Sequence, residues 1–247
     1  MKRIYLLIAI LFTVTIVTAQ SLQEAEDAYS KENYPASVEI YEALVDSVGV
    51  SPEIYYNLGN SYYKLKNYPK AIINYERALL LSPGDEDVKF NLDMARANIV
   101  DKIDVVDRSF ILIWFESIRN RASSDSWAVI AIVSFILFLI GIFFYIFSKH
   151  IILKKIGFFG GAILLLISIY ANVVSYKQQQ KILERNTAII ISPSVTIKSS
   201  PSESGTELFI LHEGTKVRVT DKVGEWSEIK IDDGNSGWIK ASAMEII

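Results

Sequence analysis

The chain has 247 residues, a net charge of −3 and no cysteine. Without cysteine it has no disulfide, thiol nucleophile, cysteine-bound zinc or lipid-bearing N-terminal cysteine, and its acidic balance offers no basic field to nucleic acid. A hydrophobic share of 51% is high for a soluble domain, so the excess should be concentrated in particular segments.

The first such segment is the N-terminus, "MKRIYLLIAILFTVTIVTAQ". Lys2 and Arg3 precede an uncharged run from Ile4 to Val17, which ends in Val17-Thr18-Ala19. A basic start, an apolar centre and small residues at the end predict a signal peptide over residues 1–19, cut after Ala19. The alternative is an uncleaved anchor. In either case the following segment is exported.

Residues 20–100 carry an internal repeat. "NYPASVEIYEAL" from Asn33 is restated as "NYPKAIINYERAL" from Asn67, 34 residues later. Tyr34, Pro35, Val38, Tyr41, Glu42 and Leu44 fall opposite Tyr68, Pro69, Ile72, Tyr75, Glu76 and Ala78, with apolar members at helical spacing. That period is the length of one helix-turn-helix unit of the tetratricopeptide type. The second copy resembles that family: Tyr55, Leu58, Gly59 and Tyr62 suit its first helix, Ala71, Tyr75 and Ala78 its second, and Pro83 closes the unit. Gly59, Ala71 and Ala78 are the small residues that let two helices approach. The first copy is degenerate, with Ala25, Ala28, Ser37 and Gly49 at motif positions. A half-copy, "EDVKFNLDMAR" from Glu86, reads as a terminal capping helix. Two units and a cap fall short of the usual number for such arrays, so the module is expected to lean on a neighbour.

Most of the repeated tyrosines read as core. The resemblance implies a concave groove on the inner face of each first helix, where relatives hold peptides. It places Glu26, Tyr29, Tyr56, Asn57, Asn60, Tyr63, Lys64, Asn91 and Met94 there. Asn57 and Asn91 share one repeat position, and a side-chain amide can pair with an extended peptide backbone. Basic residues are too sparse for a clamp on an acidic peptide end.

Residues 101–126 include "DRSFILIWFESIRNR", with Phe110, Ile111, Trp114, Phe115 and Ile118 at helical spacing. This suits a helix in the membrane interface, or one packed on the repeat module. Trp127–Phe147 and Ile156–Tyr176 are then two uncharged runs of 21 residues each. As helices they would be about 31 Å long, enough to cross a bilayer. Gly157, Gly160 and Gly161 should let the pair pack closely, and Asn172 is expected to pair across the helices. Residues 148–155 contain Lys149, Lys154 and Lys155 and no acid, which predicts a cytoplasmic loop. With an exported N-terminus, two crossings place both flanking modules outside the cytoplasm, at a bacterial inner membrane.

A polar linker over residues 177–187 leads into short alternating runs over 188–247, broken by Pro201, Gly205, "HEGT", "VGEW" and "DDGNSG". About five strands closing into a small barrel are expected. "VTIKSSPS", "LHEGTKVRV" and "EWSEIKIDDGNSGWI" resemble the bacterial SH3-like domain, with Gly214 at a hairpin turn and Trp226 and Trp238 at the family's tryptophan positions. Thr196, Lys198 and Ser200 depart from the common pattern, so ligand preference does not carry over. The two tryptophans are candidates for an aromatic groove, although for Trp238 a core position is the favoured reading.

The residues show no catalytic constellation, which predicts a protein that is not an enzyme and needs no cofactor or metal. His150 and His212 fall on opposite sides of the predicted membrane. "DDGNSG" lacks the ligand spacing of an EF-hand and reads as a turn. The predicted fold class is a multidomain membrane protein: all-α tetratricopeptide repeats, a transmembrane helix hairpin and a small all-β SH3-like barrel. This order of segments resembles the tetratricopeptide-repeat proteins of the Bat aerotolerance operon. The resemblance implies a membrane scaffold working beside von Willebrand factor type A domain proteins in envelope or oxidative-stress physiology. Peptidoglycan recognition through the SH3-like domain is the alternative function.

Overall fold

A computed structural model describes residues 19–49, 51–103 and 109–247. Residues 1–18 of the predicted signal peptide lie outside the described residues. The described chain forms two compact units, one holding the repeat helices with the C-terminal strands and the other holding residues 109–184.

In the first unit, α1 (19–30), α2 (Tyr34–Val48), α3 (Pro52–Lys64), α4 (Tyr68–Leu81) and α5 (Glu86–Arg96) follow the predicted repeats. The copies repeat their interactions as well as their letters. Glu32 and Lys66, 34 residues apart, both turn the chain at φ 60°. Directly after them, Asn33 accepts from the Ala36 amide at 3.5 Å and Asn67 from the Lys70 amide at 3.2 Å. These side-chain caps satisfy amides that a helix start leaves without partners. Edge-on tyrosine pairs also recur one period apart, Tyr29 with Tyr34 and Tyr63 with Tyr68.

Ala25, Val38, Tyr41, Leu44, Ile54 and Leu58 form the first repeat's core. Ala71, Ile72, Tyr75 and Ala78 are buried in the second. Where the first copy departs from the pattern it compensates. Ser37 and Ser61 are buried 3.0 Å apart as a hydrogen-bonded pair, at the positions that Ala71 and Ala95 fill one period later. Gly59 permits the close approach read from the sequence, because a Cβ there would stand 2.6 Å from the Tyr75 ring.

The C-terminal part is an antiparallel SH3-like sheet of seven strands in the order β3-β2-β6-β5-β4-β1-β7. They are β1 (Thr187–Ile190), β2 (Ser194–Lys198), β3 (Glu207–His212), β4 (Lys216–Val223), β5 (Trp226–Lys230), β6 (Ser236–Lys240) and β7 (Met244–Ile246). One core contains Ala188, Ile190, Ile197, Leu211, Val217, Ile229, Ile239 and Met244, so every strand contributes to it and the sheet wraps around it. The two strands beyond the expected five are the shortest runs at either end, β1 and β7, which pair with each other.

The second unit holds α6 (Phe110–Arg119), α7 (Ser124–Phe147) and α8 (Ile151–Glu184). Both α7 and α8 are long and apolar enough to cross a membrane. Only residues 148–150 separate them, so Lys154 and Lys155 belong to α8, and α8 also runs through most of the predicted linker. The pair is antiparallel: Ser168 Oγ donates to Ala131 O at 2.8 Å, and Ser175 Oγ to Ser124 O at 2.9 Å. Gln178 Nε2 donates to Arg119 O at 2.8 Å and Ala122 O at 3.1 Å.

Two expectations about the hairpin are corrected. Asn172 is exposed, and these three residues make the cross-helix bonds in its place. Gly160 faces open space, whereas a Cβ on Gly157 would stand 2.4 Å from Gly141 O. The close packing therefore falls on Gly141, Gly157 and Gly161. α6 has no buried residue.

Candidate functional site

The repeat groove gathers six of its nine predicted residues. Tyr29, Asn60, Tyr63, Lys64, Asn91 and Met94 line a cavity of about 200 Å³ together with Tyr75 and Phe90. Its floor is a polar chain: Asn60 Oδ1 accepts from Tyr75 Oη at 2.8 Å and from Asn91 Nδ2 at 2.9 Å, and Asn91 Nδ2 also reaches Tyr56 Oη at 3.1 Å. Burial pushes the Tyr75 hydroxyl's pKa up, so it remains a neutral donor. Among the described residues, Asn60 Nδ2 and Asn91 Oδ1 carry no hydrogen bond. One donor beside one acceptor matches what an extended peptide unit presents.

The remaining three lie outside the cavity. Tyr56 borders it through Asn91. Asn57 is turned toward the Tyr41 hydroxyl, whose pKa is pushed up to about 12 chiefly by burial. Asn57 and Asn91 thus share a repeat position while having different surroundings. Glu26 is exposed and does not line the cavity. Phe90 was missed, although it stands 34 residues after Tyr56 and so was findable by period. It is 65% exposed and Met94 is 45% exposed, giving the groove an apolar lip. Lys64 is the one cation lining this cavity.

The expected neighbour of the repeat module is the SH3-like sheet. Glu245 on β7 joins Lys70 at 2.9 Å and Arg77 at 3.0 Å, both on α4, and Arg77 also donates to Ile246 O at 3.1 Å. Burial alone would raise the Glu245 carboxyl; the two cations outweigh it and hold the pKa below the ordinary value. Glu76 is buried between Arg96 and Lys216, the latter at 2.6 Å. Asp101 receives the His212 amide at 2.7 Å, His212 Nδ1 at 2.8 Å and the Thr215 hydroxyl at 2.6 Å. These bonds lower its pKa against the opposing effect of burial. Gly214, at φ +87°, turns the β3–β4 hairpin, and a Cβ there would meet Ile99 at 2.5 Å. Asp101 lies 111 residues from His212, so the pair is formed only by the fold.

The tryptophans lie on the sheet's outer face. On β6, Gly237 and Ile239 are buried, so the two-residue alternation of a strand turns Trp238 away from the core. The favoured core reading of Trp238 is corrected: it is half-buried, opposite Glu228 on β5 and Lys198 on β2. Trp226 stands opposite Lys240, whose Nζ is 5.8 Å from the ring centroid. The two indoles therefore share one face flanked by two lysines.

Comparison with known proteins agrees with this division. Residues 52–85 match the family model of the tetratricopeptide repeat, and residues 193–245 match that of the bacterial SH3 domain. No curated protein matches the chain. The match begins at α3, leaving the degenerate first copy outside it, so the chain carries a tetratricopeptide repeat and a bacterial SH3 domain, each a module of protein interaction.

Proposed function

We propose that this protein is a non-enzymatic membrane scaffold whose repeat groove holds an extended segment of a partner protein. The observation that carries the reading is that Asn60 and Asn91, bonded to each other at 2.9 Å, line one cavity together with Phe90 and Met94. The α7–α8 hairpin fixes the scaffold in the inner membrane as a two-pass protein with both modules in the periplasm. An even number of crossings returns the chain to its starting side, and the bonds from α4 to β4 and β7 support a placement of both modules on one side. Fusions of a periplasm-dependent reporter at either end test that topology.

The segment order resembles the tetratricopeptide proteins of the Bat aerotolerance operon. On that resemblance the partner is a von Willebrand factor type A domain membrane protein of the same operon, and the assembly serves envelope or oxidative-stress physiology. A photoreactive side chain at position 91, in the native membrane, should crosslink this partner. Loss of no partner when Asn60 and Asn91 are both replaced by alanine would sink the groove assignment.

A second reading is favoured by Trp226 and Trp238, half-buried side by side on the sheet's outer face: the SH3 face recognises peptidoglycan. Retention of the detergent-solubilised full chain on purified peptidoglycan, lost in Trp226→Ala, separates it from the first.

A further inference from the structure

The face that carries Trp226 and Trp238 is occupied by the chain itself. The loop after β2, residues 199–206, is closed at its neck: the Ser199 amide donates to Thr206 O at 2.9 Å, and Ser199 Oγ accepts from the Thr206 amide at 3.1 Å. From that loop Glu203 reaches back over the sheet. Its carboxylate bonds to Lys240, and its other oxygen lies 3.8 Å from Lys198 Nζ, which also donates to the Glu203 carbonyl. The two lysines come from different strands, and each stands across from one of the indoles.

Their surroundings make this more than a surface ion pair. The Lys198 side chain is only 16% exposed, so its stem is packed on the sheet and its ammonium is held at this face rather than free to swing away. Glu203 is 70% exposed, and a pair that open to solvent is easily exchanged. The apolar faces of Trp226 and Trp238 beside the ammonium groups suit a group that is charged at one end and apolar next to it.

We infer that Lys198 and Lys240 form a receptor for the free carboxylate at the end of a peptide, with Trp226 and Trp238 beneath its last side chains and Glu203 as a built-in competitor. This rests on the second reading above, that the tryptophan face is a recognition surface. Binding exchanges one carboxylate for another, so no net charge need be desolvated. Glu203 then sets a threshold: apparent affinity is reduced by the fraction of molecules whose lysines are free.

The test uses the full chain in detergent with ¹⁵N-labelled tryptophan, following the Trp226 and Trp238 indole signals as trialanine or trialanine amide is added. Glu203→Gln should tighten the acid at least about threefold, and the amide should bind at least about tenfold more weakly than the acid. Lys240→Gln in the Glu203→Gln background should erase that preference. An unchanged denaturation midpoint in Glu203→Gln excludes unfolding as the cause. Equal shifts by acid and amide would overturn the carboxylate assignment while keeping the face as a recognition surface. An acid affinity unmoved by Glu203→Gln would overturn the competitor role, and no shift with either probe in any variant would remove the face reading as well.

Discussion

Glu42 and Glu76 stand one 34-residue period apart and accept from partners that are also one period apart, Tyr62 and Arg96. The same pair of repeat positions thus makes a hydroxyl–carboxylate bond in the first repeat and an ion pair in the second. Only Glu76 has a further partner, Lys216 of the SH3 domain. The duplicated position has become a joint between modules. Removing the carboxylate should therefore cost unequally. Glu76→Ala leaves Lys216 without its carboxylate and Arg96 with only its 3.8 Å contact to Asp93, both partly hydrated at 37% and 39% exposure, for a loss of about 1–3 kcal/mol. Glu42→Ala, at an exposed pair, should cost less than about 1 kcal/mol. Urea denaturation of both variants checks this; equal losses would remove the joint role of Glu76.

Gly59→Ala places a methyl 2.6 Å from the Tyr75 ring, which is itself buried. Overpacking of this kind costs about 1–3 kcal/mol. The ring can yield only by moving its hydroxyl, which holds Asn60 at 2.8 Å. The variant should lose partner crosslinking along with thermal stability. Tyr75→Phe should keep the packing and lose only the groove bond.

These two residues show what the sequence made legible. A repeat writes its packing twice, so Tyr75 could be assigned by comparison with Tyr41, while Gly59, Ala71 and Ala78 followed from the second copy's resemblance to the tetratricopeptide pattern. Ser168, Ser175 and Gln178 could not, because a hairpin's polar bonds depend on which face each helix turns inward, and two nearly uniform apolar runs carry no such signal. Asn172 drew notice as an amide in an apolar run and lies on the outward face. The same limit applies to the junction. Lys70, Arg77 and Glu245 look like solvated charges until distant segments meet. A large aromatic such as Trp238 suggests a core position, whereas the buried Gly237 and Ile239 on either side set the alternation that turns it outward.

The junction should weaken in acid. Asp101 and Glu245 both titrate below their ordinary values of 3.8 and 4.5 in the folded chain. A depressed folded pKa contributes stability that is fully present above the unfolded value and is lost as pH falls through the folded one. Between pH 5 and 2 the wild type should therefore lose stability more steeply than the double variant Asp101→Asn, Glu245→Gln. Identical slopes in denaturation series would show that these carboxylates do not hold the junction.

The absence of cysteine makes the hairpin directly testable. Ser168 reaches Ala131 O at 2.8 Å, so cysteines at positions 131 and 168 should form the chain's sole disulfide when oxidised in the membrane. Adding Gly157→Val, whose side chain would drive into Gly141 O, should reduce that crosslink several-fold. Crosslinking unaffected by the valine would mean that the glycines do not set the helix approach.

Phe90 is the sharpest probe of the groove because its two possible roles predict different results. It is 65% exposed, one period after Tyr56 and next to Asn91. A side chain that exposed contributes little to folding, and Phe90→Ala should move the denaturation midpoint by no more than about 0.5 kcal/mol equivalent. If the groove holds a partner segment, the same ring becomes buried on binding, and its removal should lower crosslinking from position 91 by about tenfold, in the range of an interface aromatic. Asp93→Ala, on the same helix, exposed and outside the cavity lining, is the control and should leave crosslinking intact. Equal crosslinking in both variants would place the partner elsewhere on the chain.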